Sequence, residues 1–98
     1  MADLAPTSGH GPSLRIDKFL WFARLAKSRT MAQKLAEEGH IRLNGRRIER
    51  AHAPVRAGDL ITFPHPSGVR VVRVTQLPGR RGPAPEAQDC YEELKLGD

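Results

Sequence analysis

Apolar residues first take up a regular spacing at Ile16, Phe19, Leu20 and Ala23, which stand at i, i+3, i+4 and i+7 and so line one stripe of a helix. Asp17 falls in its first turn and Arg24 and Lys27 near its end, each with the sign of charge that complements the helix dipole. Lys18, Trp21 and Leu25 form a second row on another face, and a row containing a tryptophan needs a cover. Ser28 is a suitable N-cap for a second helix. In that helix Met31, Ala32 and Leu35 face inward, Arg29, Gln33 and Lys34 face out, and Gly39 supplies the left-handed stop. A link of a residue or two around Lys27 makes the helices antiparallel or steeply crossed neighbours.

Beyond Gly39 the period changes from helical to alternating. Ile41-Arg42-Leu43 leads into Asn44-Gly45, the strongest short signal for a hairpin, and Arg46-Arg47-Ile48 supplies the return strand. Alternation sends Ile41 and Leu43 to the core and Arg42 to solvent. Arg56-Ala57-Gly58-Asp59 reads as a turn into a strand over 60–63, which Pro64, Pro66 and Gly68 break, and the Val/Arg alternation over 69–74 is a further strand. Residues 1–13, with Pro6, Gly9, Gly11 and Pro12, have little to bury and read as a disordered lead. Residues 78–85 form a basic, proline-rich linker without a packing signal, and 86–96 suit an acidic helical turn or two anchored by Tyr91 and Leu94. The expected organisation is therefore a lead at 1–13, an α+β domain at 14–77, and a linker with an acidic tail at 78–98.

At 98 residues, 39% hydrophobic and 5% aromatic, the chain has room for one small domain. A domain of this size buries about 60% of its unfolded surface, which makes for a modest core. The net charge of +5 is unevenly spread. Residues 14–50 carry ten Lys and Arg against four Asp and Glu, and 51–82 carry five against one, whereas 83–98 carry one against five. A basic middle of that size suits a polyanionic partner. The single Cys90 excludes a disulfide within the chain and suits a reducing compartment. The first residues lack the charged lead and apolar run of a secretory signal, and no stretch approaches the ~18 apolar residues of a membrane span. A cytoplasmic protein is expected.

Catalytic chemistry finds little support. Asp17, Glu37, Glu38, Glu49 and Asp59 are interspersed with basic residues as surface ion pairs or caps are, and none pairs with a nucleophile. His10, His40, His52 and His65 lack helical metal-ligand spacing, so neither a metal nor another cofactor is expected. Nucleic-acid binding is better supported. Lys27-Ser28-Arg29-Thr30 brings two cations, hydroxyls and free backbone N–H groups to a positive helix end, which is a ready phosphate site. The Asn-Gly turn presents Arg42, Arg46 and Arg47 beside it, and arginine suits bidentate phosphate contact and base stacking. Trp21 is open to two readings, stacking on a base or packing beneath the sheet or the returning tail near Tyr91, of which packing is favoured.

The run Arg15-Ile16-Asp17-Lys18-Phe19-Leu20-Trp21, followed by Lys27-Ser28-Arg29, Gln33-Lys34-Leu35, residues 39–45 and Val55-Arg56-Ala57-Gly58-Asp59, resembles the RNA-binding domain named after small-subunit ribosomal protein S-four. Within that superfamily residues 15–29, the segment 81–87 and Tyr91-Glu92-Glu93 look most like the ribosome-associated heat-shock protein fifteen branch, which commonly continues into a long basic C-terminal extension. The resemblance implies an α+β fold of the α-L type, with two N-terminal helices packed on a small bent antiparallel sheet and flexible termini. It further implies binding of structured RNA, ribosomal RNA of the large subunit, in a role of rescuing or recycling stalled ribosomal particles; a non-catalytic, stress-response protein acting as a monomer is expected. By matching position, the RNA surface falls on Arg15, Lys18, Lys27, Ser28, Arg29, Gln33, Lys34, Arg42, Asn44, Gly45 and Arg46, with Ser28 and Asn44 also serving as cap and turn. The alternatives are a protein-interaction module with a basic face and a free-standing targeting domain for another RNA, such as tRNA. No membrane and no small-molecule substrate enter any of these readings.

Overall fold

Two small sheets and a pair of helices share one core in the computed structural model, which describes residues 11–95. The chain enters through strand β1 (Leu14–Arg15), helix α1 (Ile16–Phe22) and helix α2 (Arg29–Glu37). Strands β2 (Ile41–Leu43), β3 (Arg46–Ile48), β4 (Pro54–Val55), β5 (Leu60–His65) and β6 (Gly68–Val74) follow, and then helix α3 (Ala84–Gln88) and strand β7 (Tyr91–Leu94). The larger sheet is antiparallel in the order β3-β2-β5-β6-β7, and β1 pairs with β4 in a second, two-stranded sheet. The expected α+β architecture of helices against an antiparallel sheet is what the chain forms. The greater part of the expected lead, residues 1–10, lies outside the described residues, as do 96–98.

The stripe of α1 is the heart of the core. Ile16, Phe19 and Leu20 are wholly buried and Ala23 nearly so, against Ile41, Val55, Ile61, Phe63, Val72 and Val74 from the strands. Ala32 and Ala36 carry the buried face of α2, and side chains that small leave room for the two helices to sit close together. Leu35 is only half-buried and Met31 is exposed, so the inward face of α2 is rotated from the one expected.

Both helices stop in the same way. At the end of α1 Arg24 adopts a left-handed φ of 61°, its N–H reaches Trp21 O, and Leu25 N–H reaches Leu20 O. At the end of α2 Gly39 has φ 78°, and the N–H groups of Gly39 and His40 reach Ala36 O and Leu35 O. These are two Schellman closures, one of them built on an arginine where glycine is usual. Because α1 closes this early, the link to α2 is longer than the residue or two expected, and its Leu25 and Ala26 are buried.

The hairpin forms as expected. Asn44 and Gly45 have φ of 53° and 85°, the two positive values of a type I′ turn, and Ile41, Arg42 and Leu43 stand opposite Ile48, Arg47 and Arg46. Pro64 does not break β5, which runs on to His65. Leu60 O accepts from Asn44 N–H at 2.7 Å, so alternate residues 60, 62 and 64 turn their backbone towards β2, whose pairing ends at Thr62. Pro64 lies past that end and its missing N–H interrupts nothing.

Residues past Val74 return to the fold. Arg81 Nε donates to Trp21 O at 3.1 Å and Arg24 Nε donates to Gly82 O at 2.7 Å, so the proline-rich stretch is pinned to the end of α1. The expected helical turn is α3, but Tyr91–Leu94 forms a strand on the open edge of β6, where Arg70 bridges Glu93 and Arg73 stands opposite Glu92. The acidic composition that favours a helix locally is overridden by an edge lined with arginines and unpaired backbone groups.

Candidate nucleic-acid interface

Asp17 is the one charged side chain among the described residues that is completely buried, and it gathers the surface around it. Its carboxylate accepts from Arg15 through Nε at 2.9 Å and Nη2 at 2.8 Å, from Lys18 N–H at 2.8 Å, from Gln33 Nε2 at 3.3 Å and from Arg29 Nε at 3.5 Å. Burial alone would push this carboxyl up; the hydrogen bonds from Arg15, Gln33 and Lys18 N–H and the arginine's charge outweigh it and hold the carboxyl below the usual range. The same pairing raises Arg15. The backbone helps position the acid, since Ile16 and Asp17 N–H groups donate to Ala53 O and Ala51 O. Asp17 was expected to be a surface ion pair or cap; it is instead a buried anchor that draws Arg15, Arg29 and Gln33, from β1 and α2, to one point.

The start of α2 matches expectation. Ser28 is extended at φ −144° and ψ 160°, and its Oγ accepts from Met31 N–H at 3.0 Å. Lys27 stands exposed immediately before it. At the hairpin, Asn44 Nδ2 donates to Asp59 Oδ1 at 3.0 Å and Asn44 Oδ1 accepts from Leu60 N–H at 2.9 Å. The turn is thereby locked to the loop before β5. Arg42 and Arg47 face each other across the hairpin, while Arg46 stands opposite Leu43 and so points from the other face. The Arg47 guanidinium lies over Gly39, where an added Cβ would come within 2.4 Å of it, and Arg47 also pairs with Glu49 at 3.2 Å. A cation at that place complements the C-terminal end of α2 and ties the hairpin to the helix.

The candidate residues thus fall into three groups. Arg15, Arg29 and Gln33 are held by Asp17 with their charge or amide at the surface. Ser28, Asn44 and Gly45 shape backbone. Lys18, Lys27, Lys34, Arg42 and Arg46 make no ion pair with any described residue, which leaves their charge available to a ligand. Trp21 is half-buried, tilted against Phe22 with centroids 5.8 Å apart and covered by the Arg81 guanidinium at 5.6 Å, so its cover is the returning segment, at Arg81 and not at Tyr91. Asp17 was missed as an organiser because an acid in a first helical turn ordinarily serves the dipole. The signal available was the spacing of Arg15 and Asp17 across the junction of strand and helix.

Elsewhere, burial pushes the Cys90 thiol up, and its Sγ lies 3.8 Å from Glu86 O. Among the described residues no three His, Cys, Asp or Glu side chains gather as metal ligands would, and no helix is long and apolar enough to cross a membrane.

Comparison with known proteins bears on the fold and the family. The model of the S4 domain matches residues 14–61. A heat shock protein 15 homolog of Aeromonas salmonicida is 42% identical over 84% of this chain and 61% of its own length. The RQC P-site tRNA stabilizing factor of Bacillus subtilis is 33% identical over 87% of this chain and the whole of its own length. The trimeric structure of Vibrio cholerae heat shock protein 15 superposes with a TM-score of 0.79 and 32% identity, covering 85% of this chain and 83% of that one. The chain spans about three fifths of the length of the heat shock protein 15 homologs of Aeromonas salmonicida and Haemophilus influenzae.

Proposed function

Since the chain belongs to the S4-domain family and is of the heat shock protein 15 type, we propose that it is a non-catalytic, cytoplasmic RNA-binding protein that acts as a monomer on ribosomal RNA of the large subunit, in the rescue or recycling of stalled ribosomal particles. The observation that carries this reading is the division of labour around Asp17. One buried carboxylate orients Arg15, Arg29 and Gln33 from below, while Lys27 and Lys34, adjacent in sequence to the start of α2 and to Gln33, and Arg42 on the hairpin are exposed and make no ion pair with any described residue. Oriented guanidinium forks and free ammonium groups recognise phosphate by geometry and by charge respectively. A rigid surface of this kind suits folded RNA, whose major groove is too narrow for side chains to read and whose backbone shape carries the recognition.

A second reading is favoured by the relative of equal extent, whose printed name assigns it to P-site tRNA. In that reading the same surface grips tRNA held on the ribosome. Ultraviolet crosslinking of the protein in cell extract, followed by sequencing of the attached RNA, separates the two. Large-subunit ribosomal RNA is the expected product, tRNA would favour the second reading, and ribonuclease-resistant association with ribosomal particles without crosslinked RNA would leave a protein-binding module.

A further inference from the structure

An open groove of about 610 Å³ lies where the α1–α2 link meets the β5–β6 hairpin, a place that none of the candidate RNA residues except Lys27 touches. Its apolar surface comes from Leu25, Met31 and Leu35 on one side and the prolines Pro64 and Pro66 on the other. Met31 is 48% exposed, although the helix pattern alone would turn it inward, because Ala32 and Ala36 take the face against the core. A large flexible thioether is left standing over an apolar floor.

Cations rim this groove, and no carboxylate lines it. Arg24 and Arg81 are both tethered through Nε to backbone carbonyls, of Gly82 and Trp21, and neither pairs with an acid among the described residues. Arg24 is also held in the left-handed backbone region, which a non-glycine residue rarely adopts. Lys27 completes the rim and is shared with the start of α2. Two tethered guanidinium groups and the exposed Lys27 ammonium around an apolar floor, none of them paired with an acid among the described residues, are complementary to a ligand that is flat and apolar in its middle and anionic at its ends.

We propose that this groove takes a single unpaired nucleotide of the bound RNA, its base on Met31, Leu35 and the two prolines and its flanking phosphates on Arg24, Lys27 and Arg81. The inference rests on the RNA-binding reading and extends it from backbone recognition to an extruded base. RNA is favoured over an acidic peptide because Lys27 makes the groove continuous with the proposed phosphate surface.

The test is fluorescence anisotropy of the full chain with two RNA hairpins of identical stem and loop, one of which carries a single extruded adenosine. The bulged hairpin is expected to bind about tenfold more tightly, the order expected from removing one face of a base from water against aliphatic side chains. Met31→Ser and Pro66→Ser, both at exposed positions, are each expected to reduce that ratio to about one, whereas Lys34→Ala should weaken both RNAs and leave the ratio unchanged. Equal binding of the two hairpins by the wild type would overturn the nucleotide site while leaving RNA binding intact; binding of neither would overturn the RNA reading itself. A preference that survives both substitutions would place the base elsewhere, and a wild-type dimer in sedimentation that Met31→Ser dissociates would assign the groove to a second copy of the chain.

Discussion

Asp17 does its work through ionisation, and its substitution separates charge from shape. Asp17→Asn keeps the volume and removes the negative charge that Arg15 and Arg29 share, leaving two cations and Gln33 to repel or reorient. Breaking a buried pair from one side costs up to 3–5 kcal/mol, and because both arginines are partly exposed the expected loss here is about 2 kcal/mol, measured by urea unfolding. The pH dependence has a definite sign. The carboxyl is lowered in the folded chain, so the unfolded chain takes up its proton first, and the stabilisation is complete above the usual carboxylate range and is lost as pH falls through the lowered value. Stability of the wild type should therefore decline on acidification below about pH 4, and Asp17→Asn should flatten that decline. Ser28 and the Asn44-Gly45 turn were legible in the sequence because a cap and a type I′ turn are satisfied by neighbours a few residues away. Asp17 was legible only as far as Arg15, two positions away; Arg29 and Gln33, which make it an organiser, lie 12 and 16 positions on, and the Gly82 carbonyl that holds the Arg24 side chain lies 58 positions on.

At the scale of elements, the hairpin is the part whose geometry is most tightly specified. Asn44 supplies a positive φ, a donor to Asp59 and an acceptor for Leu60 N–H, so Asn44→Ala removes three things at once. A loss of about 2 kcal/mol is expected, with Asn44→Gly recovering roughly half of it by restoring the turn without the side-chain bonds. Comparison of their denaturant midpoints checks this. The elements least legible in the sequence are β1, β4 and β7. The first two are pairs of residues with no alternation to read, and they exist because their register brings Leu14 beside Val55. Strand β7 has a helical composition and is recruited by the edge of β6. Its Glu93 is lowered by the hydrogen bond from Arg70, against the opposing effect of burial, and Arg70 also sits 5.6 Å over the Phe63 ring. Arg70→Ala should accordingly loosen β7 selectively, raising hydrogen exchange at Glu92–Leu94 while Ile41–Leu43 stays protected.

For the whole molecule, the basic middle read from the sequence is resolved into two populations of cation, those held by protein partners and those left free. Only the free ones release counterions fully when they meet phosphate. With RNA obtained from the crosslinking experiment, log affinity should fall linearly with log salt at a slope reflecting roughly four to eight phosphates. Lys27→Ala with Arg42→Ala should weaken binding by about 2–4 kcal/mol and reduce the slope by about two, with the thermal midpoint nearly unchanged. An unchanged slope would place the RNA away from α2 and the hairpin. The charge runs of the sequence predicted that such a surface exists; which arginines are already engaged is a three-dimensional fact that they do not contain.

The order β3-β2-β5-β6-β7 also arranges charge along a line. Arg46 and Arg47 lie on one outer strand and Glu92 and Glu93 on the other, four interstrand spacings or about 19 Å apart. Glu92 and Glu93 are matched by Arg73 and Arg70 on the neighbouring strand, so the excess positive charge of the sheet lies towards the hairpin edge, and in the field of a polyanion that edge is pulled more strongly before contact is made. The protein would approach with the hairpin leading and the acidic strand trailing, so that a larger share of encounters begin in the orientation that can bind.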